Sequence, residues 1–145
     1  MTQTICITGA NRGIGLALAR RAADRGMRVI GTTRDPGRAT ELAEIRGDAG
    51  PVHIETLDVA SDDSVRAMAE RLAGDPIDIL VNNAGIFPKE SSDLATFEPD
   101  AFTRCLHTNV VGPCMVTRAL RSNVESSGRT LIVNISSTMG SIAGA

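Results

Sequence analysis

What most constrains this chain is a strict alternation of five short apolar runs, rich in β-branched residues, with segments of helical periodicity. Residues 4–8 (TICIT) lead through a glycine-rich turn into residues 14–19 (IGLALA), a helix that Gly26 can end, and residues 28–33 (RVIGTT) are extended again. Asp35 followed by Pro36 reads as an N-cap with proline at the first helical position, opening a helix that reaches Ile45 and ends near Gly47. Residues 52–57 (VHIETL) form the third strand. Ser61 caps the next helix, whose Val65, Met68, Ala69 and Leu72 recur at i, i+3, i+4 and i+7 until Gly74 closes it. Residues 77–81 (IDILV) and 130–135 (TLIVNI) are the last two strands. Between them lie a polar stretch, residues 89–96, and a helix from Pro99 or Asp100 to about Val124 that Pro113 should bend.

Parallel strands need long crossovers, and helices then cover both faces of the sheet, so this alternation predicts an α/β fold with a Rossmann-type doubly wound parallel sheet. No repeat or linker divides the 145 residues, and one domain spanning 1–145 is expected. In such sheets ligands bind outside the carboxyl ends of the strands. Here those ends carry Thr8 and Gly9, Thr33 and Arg34, Asp58 and Val59, Asn82 to Gly85, and Ser136 with Ser137. All five deliver polar residues or glycine to one edge, which makes that edge the expected ligand groove.

The net charge of -2 offers no basic field to gather nucleic acid or an anionic membrane. The chain runs from Met1 straight into a strand without a basic segment or a long apolar run, so a cytoplasmic protein is expected. Cys6, Cys105 and Cys114 are odd in number and far apart, which suggests buried inert thiols rather than disulfides or a zinc site. His53 has no second ligand in view and His107 reads as a surface or packing residue, so no metal is expected.

The first turn, Thr8-Gly9-Ala10-Asn11-Arg12-Gly13-Ile14-Gly15, places three glycines where a backbone must turn tightly and approach a pyrophosphate without a Cβ in the way. Amides at the start of the following helix, and its dipole, favour an anion there.

That turn, the Leu57-Asp58-Val59 strand end, Asn82-Asn83-Ala84-Gly85, Asn109 in the long helix and Ile135-Ser136-Ser137 together resemble the short-chain dehydrogenase/reductases over the whole chain. The glycine spacing resembles the compact carbonyl-reductase-like branch more than the nucleotide-sugar epimerases. The resemblance implies that Gly9, Asn11, Arg12, Gly13, Ile14 and Gly15 hold a dinucleotide. Asp58 would bond the adenine amino group with Val59 beside it, and Asn83, Ala84 and Gly85 would line the ribose and nicotinamide. Asn82 would be structural, linking adjacent strands. Ser137 would be the catalytic serine that polarises a substrate carbonyl, with Ser136 a weaker neighbour, and Asn109 would help position a water in a proton relay. Charge selects the cofactor: an acid at the end of the second strand suits NAD, whereas a cation suits the 2′-phosphate of NADP. Arg34 stands there and Arg12 across the same pocket, so NADP(H) is expected, with Asp35 better used as a cap than as a ribose acid.

In the family the proton donor is the tyrosine of a Y-x-x-x-K motif after the catalytic serine, which would fall beyond Ala145. The sequence has no tyrosine, and its one lysine is Lys89. The expectation is therefore a domain incomplete at its C-terminus, truncated after the fifth strand, and nearly inactive by itself. Its full-length parent would be a homo-oligomer acting on a small-molecule carbonyl or alcohol. The rival is a non-catalytic dinucleotide-binding module or sensor. Residues 94–97 and 138–142 are candidates to border the substrate, whose identity the sequence leaves open.

Overall fold

The computed structural model describes residues 2–87 and 94–137; Lys89 and the candidate substrate border at 138–142 lie outside them. Among the described residues, seven strands and six α-helices run in the order β1 (Thr4–Ile7), α1 (Gly13–Ala23), β2 (Arg28–Thr33), α2 (Thr40–Ala43), β3 (Arg46–Gly47), β4 (Gly50–Pro51), β5 (His53–Thr56), α3 (Asp62–Arg71), β6 (Ile79–Asn82), α4 (Pro99–Leu106), α5 (Gly112–Ala119), α6 (Arg121–Ser126) and β7 (Leu131–Asn134). Five of the strands form one sheet in the order β5-β2-β1-β6-β7, every neighbouring pair parallel. That is the Rossmann-type arrangement, in which the chain starts at the centre, winds outward one way and then crosses to wind the other.

The period-2 alternation of strand side chains splits the interior in two. Ile5, Ile7, Val29 and Val81 face α1 and α2 and pack with Leu16, Ala19 and Leu42. Cys6, Ile30 and Leu80, one residue out of phase, face α3 and α5 and pack with Met68, Leu72, Val116 and Leu120. Each fully buried aliphatic side chain contributes about 1.5–3 kcal/mol, so both faces of the central strands are committed to the core. Burial pushes the Cys6 thiol up to about 12, with the nearby charge of Glu55 adding to the effect. Cys6 is thus the buried thiol expected, whereas Cys105 is half-buried and Cys114 is exposed.

Two segments depart from the sequence expectation. The helix expected from Pro36 to Ile45 is instead a 3-10 turn, Pro36–Arg38, followed by the single turn α2. The Asp35 side chain accepts from the Gly37 amide and tightens that turn, and Ala39 then leaves helical geometry at φ -97, ψ 42. The chain continues into a small antiparallel hairpin, β3 with β4. A Cβ on Gly47 would come within 2.4 Å of the Ala23 carbonyl, so this hairpin packs directly on the end of α1.

The long helix also differs. It is broken into α4, a π-helical segment His107–Val111, α5 and α6, and the irregularity lies in the turn before Pro113 rather than at it. Proline has no N–H to give the carbonyl four residues earlier, here that of Asn109, and the chain relieves the mismatch with one wider turn. Among the described residues no helix is long and apolar enough to cross a membrane.

Candidate functional site

Because all five strands run parallel, their carboxyl ends share one edge, and Gly9, Arg34, Asp58, Asn83 and Ser137 all follow directly on it. A groove of about 1460 Å³ reaches from this edge along β7 and the side of α5 and α6; Ile14, Asn83, Ala84, Gly85, Asn109, Ser136 and Ser137 line it at the edge, and Arg121, Glu125 and Thr130 at its far end. Gly9, Asn11, Arg12, Gly13 and Gly15 of the turn, with Arg34, Asp58 and Val59, sit at the adjoining strand ends and do not line the groove.

The turn after β1 is held from the β6 side. Thr8, 1% exposed, accepts at Oγ1 from the amides of Asn83 and Ala84, both at 2.9 Å. Asn83 Nδ2 in turn donates to the carbonyls of Thr8 and Gly9 at 2.9 and 3.1 Å. The Asn83 side chain therefore braces two strand ends. Thr8 is its reciprocal partner, a residue that sequence reasoning quoted in the motif but did not single out. Its signal was there: a small hydroxyl before the first glycine, following the apolar run Ile5-Cys6-Ile7.

Gly9 and Gly13 lie at φ +64 and +54, a region that favours glycine. They differ from Gly15 in what surrounds them. A Cβ on Gly15 would meet the Gly9 carbonyl at 2.4 Å and Asn83 Nδ2 at 2.5 Å, whereas nothing lies within 4 Å of one on Gly13. Gly15 lets α1 close on the turn, and Gly13 leaves space in front of it. Arg12, the extended N-cap residue of α1, makes no side-chain cap, and no acid occupies the first turn, so the positive end of the helix faces outward without a protein anion.

Arg12 and Arg34 are exposed, and neither makes an ion pair among the described residues. Asp35 is spent locally, on the Gly37 amide at 3.1 Å. The turn and its flanking guanidiniums thus fit a dinucleotide with an additional phosphate: an open glycine cradle, an uncapped helix start and two uncommitted cations. Asp58 accepts at Oδ1 from Ala60 N at 3.0 Å, while Ser61 is the actual cap of α3. Val59 is 6% exposed and belongs to the core that α3 and α5 share.

Asn109 sits inside the π-helical segment, and its amide is fully engaged. Oδ1 accepts from Ile86 N at 2.9 Å, and Nδ2 donates to Ile86 O at 2.8 Å and to Cys105 Sγ at 3.3 Å. The side chain clamps the segment after β6 to the long helix. The main-chain carbonyl of the same residue lacks its α-helical donor because Pro113 has no N–H. Asn82 bonds Asn134 on β7 at 2.9 Å and Thr117 at 3.2 Å, while its buried Oδ1 has no donor among the described residues. Ser136 and Ser137 are exposed beyond β7. His107 is exposed, and His53 Nε2 lies 2.9 Å from Glu55 Oε1. Of the candidate substrate border at residues 94–97, Phe97 packs against Phe102 with ring centroids 5.5 Å apart and does not line the groove.

A family model described as short chain dehydrogenase matches residues 3–145. Sulfoacetaldehyde reductase 2 of Chromohalobacter salexigens is 37% identical, the match covering 97% of this chain and 56% of that protein. A short-chain dehydrogenase/reductase from Burkholderia multivorans, solved with bound NADP, superposes with a TM-score of 0.85 at 36% identity over 99% of this chain and 62% of its own. A gluconate 5-dehydrogenase from Burkholderia cenocepacia, solved with NADP and tartrate, gives 0.82 at 34% identity over 94% of this chain and 54% of its own. The chain spans about half the length of the curated relatives it matches.

Proposed function

The chain belongs to the short-chain dehydrogenase family, and on that premise we propose that residues 1–145 form the NADP(H)-holding domain of an oxidoreductase acting on a small carbonyl or alcohol. The observation that carries this reading is the charge at the end of β2. The one acid there, Asp35, is committed to Gly37, while Arg34 and, across the turn, Arg12 have no anionic partner among the described residues. A ribose 2′-phosphate suits two such guanidiniums, and a bare 2′-hydroxyl would leave both unanswered. That both Burkholderia structures hold NADP supports the same choice.

When bound, the nicotinamide supplies or accepts the hydride. The chain's own residues bind and orient. The α1 amides and Gly13 seat the pyrophosphate, Asp58 takes the adenine side with Val59 as its apolar floor, and Ala84 with Gly85 lines the nicotinamide side. Ser137 donates a hydrogen bond to the substrate carbonyl oxygen. Asn109 keeps the segment after β6 in place through Ile86, so that its relay role falls to its main-chain carbonyl. Protonating the nascent alkoxide needs a general acid, a contribution typically worth about 10²–10⁴-fold, and residues 1–145 hold no tyrosine for that role.

Titrating NADPH and NADH against Arg34→Asp tests the cofactor assignment. NADPH should bind at least tenfold more weakly, about 1.4 kcal/mol, with preference moving to NADH; identical titrations for both cofactors would remove it. A second reading is a dinucleotide-binding module without chemistry. Translating the coding sequence past Ala145 separates the two: a tyrosine followed four residues later by lysine makes this an enzyme domain, and an immediate stop codon leaves the module.

A further inference from the structure

Asp58, which follows Leu57 beyond the end of β5, has most of its polar groups tied down. Its carbonyl accepts from Ser61 N at 3.1 Å and its Oδ1 from Ala60 N at 3.0 Å, both inside its own turn. Its amide alone reaches outside that turn, donating to Ser64 Oγ at 2.9 Å. The second carboxylate oxygen, Oδ2, has no partner among the described residues. Ser64 stands in the first turn of α3, where its own amide donates to the cap residue Ser61 at 3.2 Å. In a capping box the third helical side chain returns to the N–H of the cap residue. Here the Asp58 carbonyl already holds that N–H, and Ser64 reaches past it to Asp58. Val65 and Met68, 2 and 0% exposed, fix this turn of α3 in the core. Ser64 thus ties a strand-end carboxylate to a rigid helix.

We propose that Ser64 is a positioning residue for base recognition: it fixes Asp58 so that Oδ2 stands in place to accept from the exocyclic amino group of a purine, and so sets a preference for adenine over a 6-oxo purine. This rests on the assignment of Asp58 to the adenine side of an NADP(H) seat. A carboxylate only accepts, so it matches a 6-amino group and meets a 6-oxo group oxygen to oxygen. Holding the acceptor in position before the ligand arrives removes an ordering cost from binding. Without the Ser64 hydroxyl the Asp58 amide loses its partner and the turn keeps only its internal bonds. The carboxylate can then leave the position in which Oδ2 meets the base.

Fluorescence titrations of the 145-residue chain with NADPH and with its deaminated analogue, reduced nicotinamide hypoxanthine dinucleotide phosphate, read the outcome. Wild type should bind NADPH about tenfold more tightly than the analogue. Ser64→Ala should lose about fivefold in NADPH affinity while binding the analogue as wild type does, and Ser64→Thr, which keeps the hydroxyl, should restore the preference. In an Asp58→Ala background Ser64→Ala should cost no further affinity, although the amide that Ser64 holds is still there; a merely structural bond would add its loss again. Should Ser64→Ala destabilise α3, the pair Ser64→Thr and Ser64→Val, alike in shape and different by one hydroxyl, makes the same comparison. A serine variant that loses both cofactors equally, or one that keeps the wild-type preference, would overturn the proposal and leave the NADP(H) assignment standing. So would a wild-type chain that binds both cofactors alike. A wild-type chain that binds neither would overturn both.

Discussion

Gly13 and Gly15 are two residues apart in one motif, yet their surroundings predict opposite phenotypes when each becomes alanine. A Cβ at Gly15 would stand 2.4 Å from the Gly9 carbonyl, 2.5 Å from Asn83 Nδ2 and 3.0 Å from Ala10 Cα, mostly backbone or braced atoms that cannot swing aside. Helix α1 must shift outward, and the bonds from Asn83 to the Thr8 and Gly9 carbonyls, at 2.9 and 3.1 Å, stretch with it. Overpacking of this kind costs about 1–3 kcal/mol and each of the two strained bonds about 1 kcal/mol, so Gly15→Ala should lose about 3–5 kcal/mol of stability. A Cβ at Gly13 meets nothing within 4 Å and adds only left-handed backbone strain at φ +54, about 1–2 kcal/mol. It projects into the space where the pyrophosphate would approach, so NADPH affinity should fall at least tenfold, about 1.4 kcal/mol. Urea unfolding and NADPH fluorescence titration on the same two variants measure both quantities. Wild-type NADPH affinity in Gly13→Ala would refute the phosphate seat, and wild-type stability in Gly15→Ala would refute the close packing of α1 on the turn.

The buried thiol gives a pH prediction. With its folded pKa pushed up to about 12 from 9.0, Cys6 stays protonated while the unfolded chain ionises, so the stability it confers is full below about pH 9 and is lost as pH rises toward 12. At pH 10 the loss should be about 1.4 kcal/mol, and Cys6→Ala should flatten that part of the profile. Native thiol titration at pH 8 should find Cys105 and Cys114 reactive and Cys6 only after unfolding. Asn123, 4% exposed, donates to the Leu72 and Asp75 carbonyls at 2.6 and 2.9 Å, far from the ligand edge. Asn123→Leu should cost about 2–4 kcal/mol in urea while leaving NADPH binding unchanged, and a coupled loss of affinity would count against the separation of core and site.

Residues 4–8, 28–33, 52–57, 77–81 and 130–135 announced five parallel strands because each carries apolar, β-branched periodicity that any neighbouring strand or helix can satisfy. The common edge followed from that, since parallel strands put all their carboxyl ends together. The glycine turn and the arginines were legible for the same reason: backbone freedom and charge are properties of single residues. The destination of specific hydrogen bonds was not. That Asn83 braces Thr8, that Asn109 clamps Ile86 and that Asp35 tightens a 3-10 turn depend on which atoms arrive opposite them once distant strands pair. The β3–β4 hairpin was likewise settled by close approach, of Gly47 to the end of α1, whereas Pro113 announced an irregularity in the long helix but not that a wider turn at His107–Val111 would relieve it. Periodicity is set locally, whereas such contacts form only in three dimensions, where a few tenths of an ångström decide which side chain closes the gap.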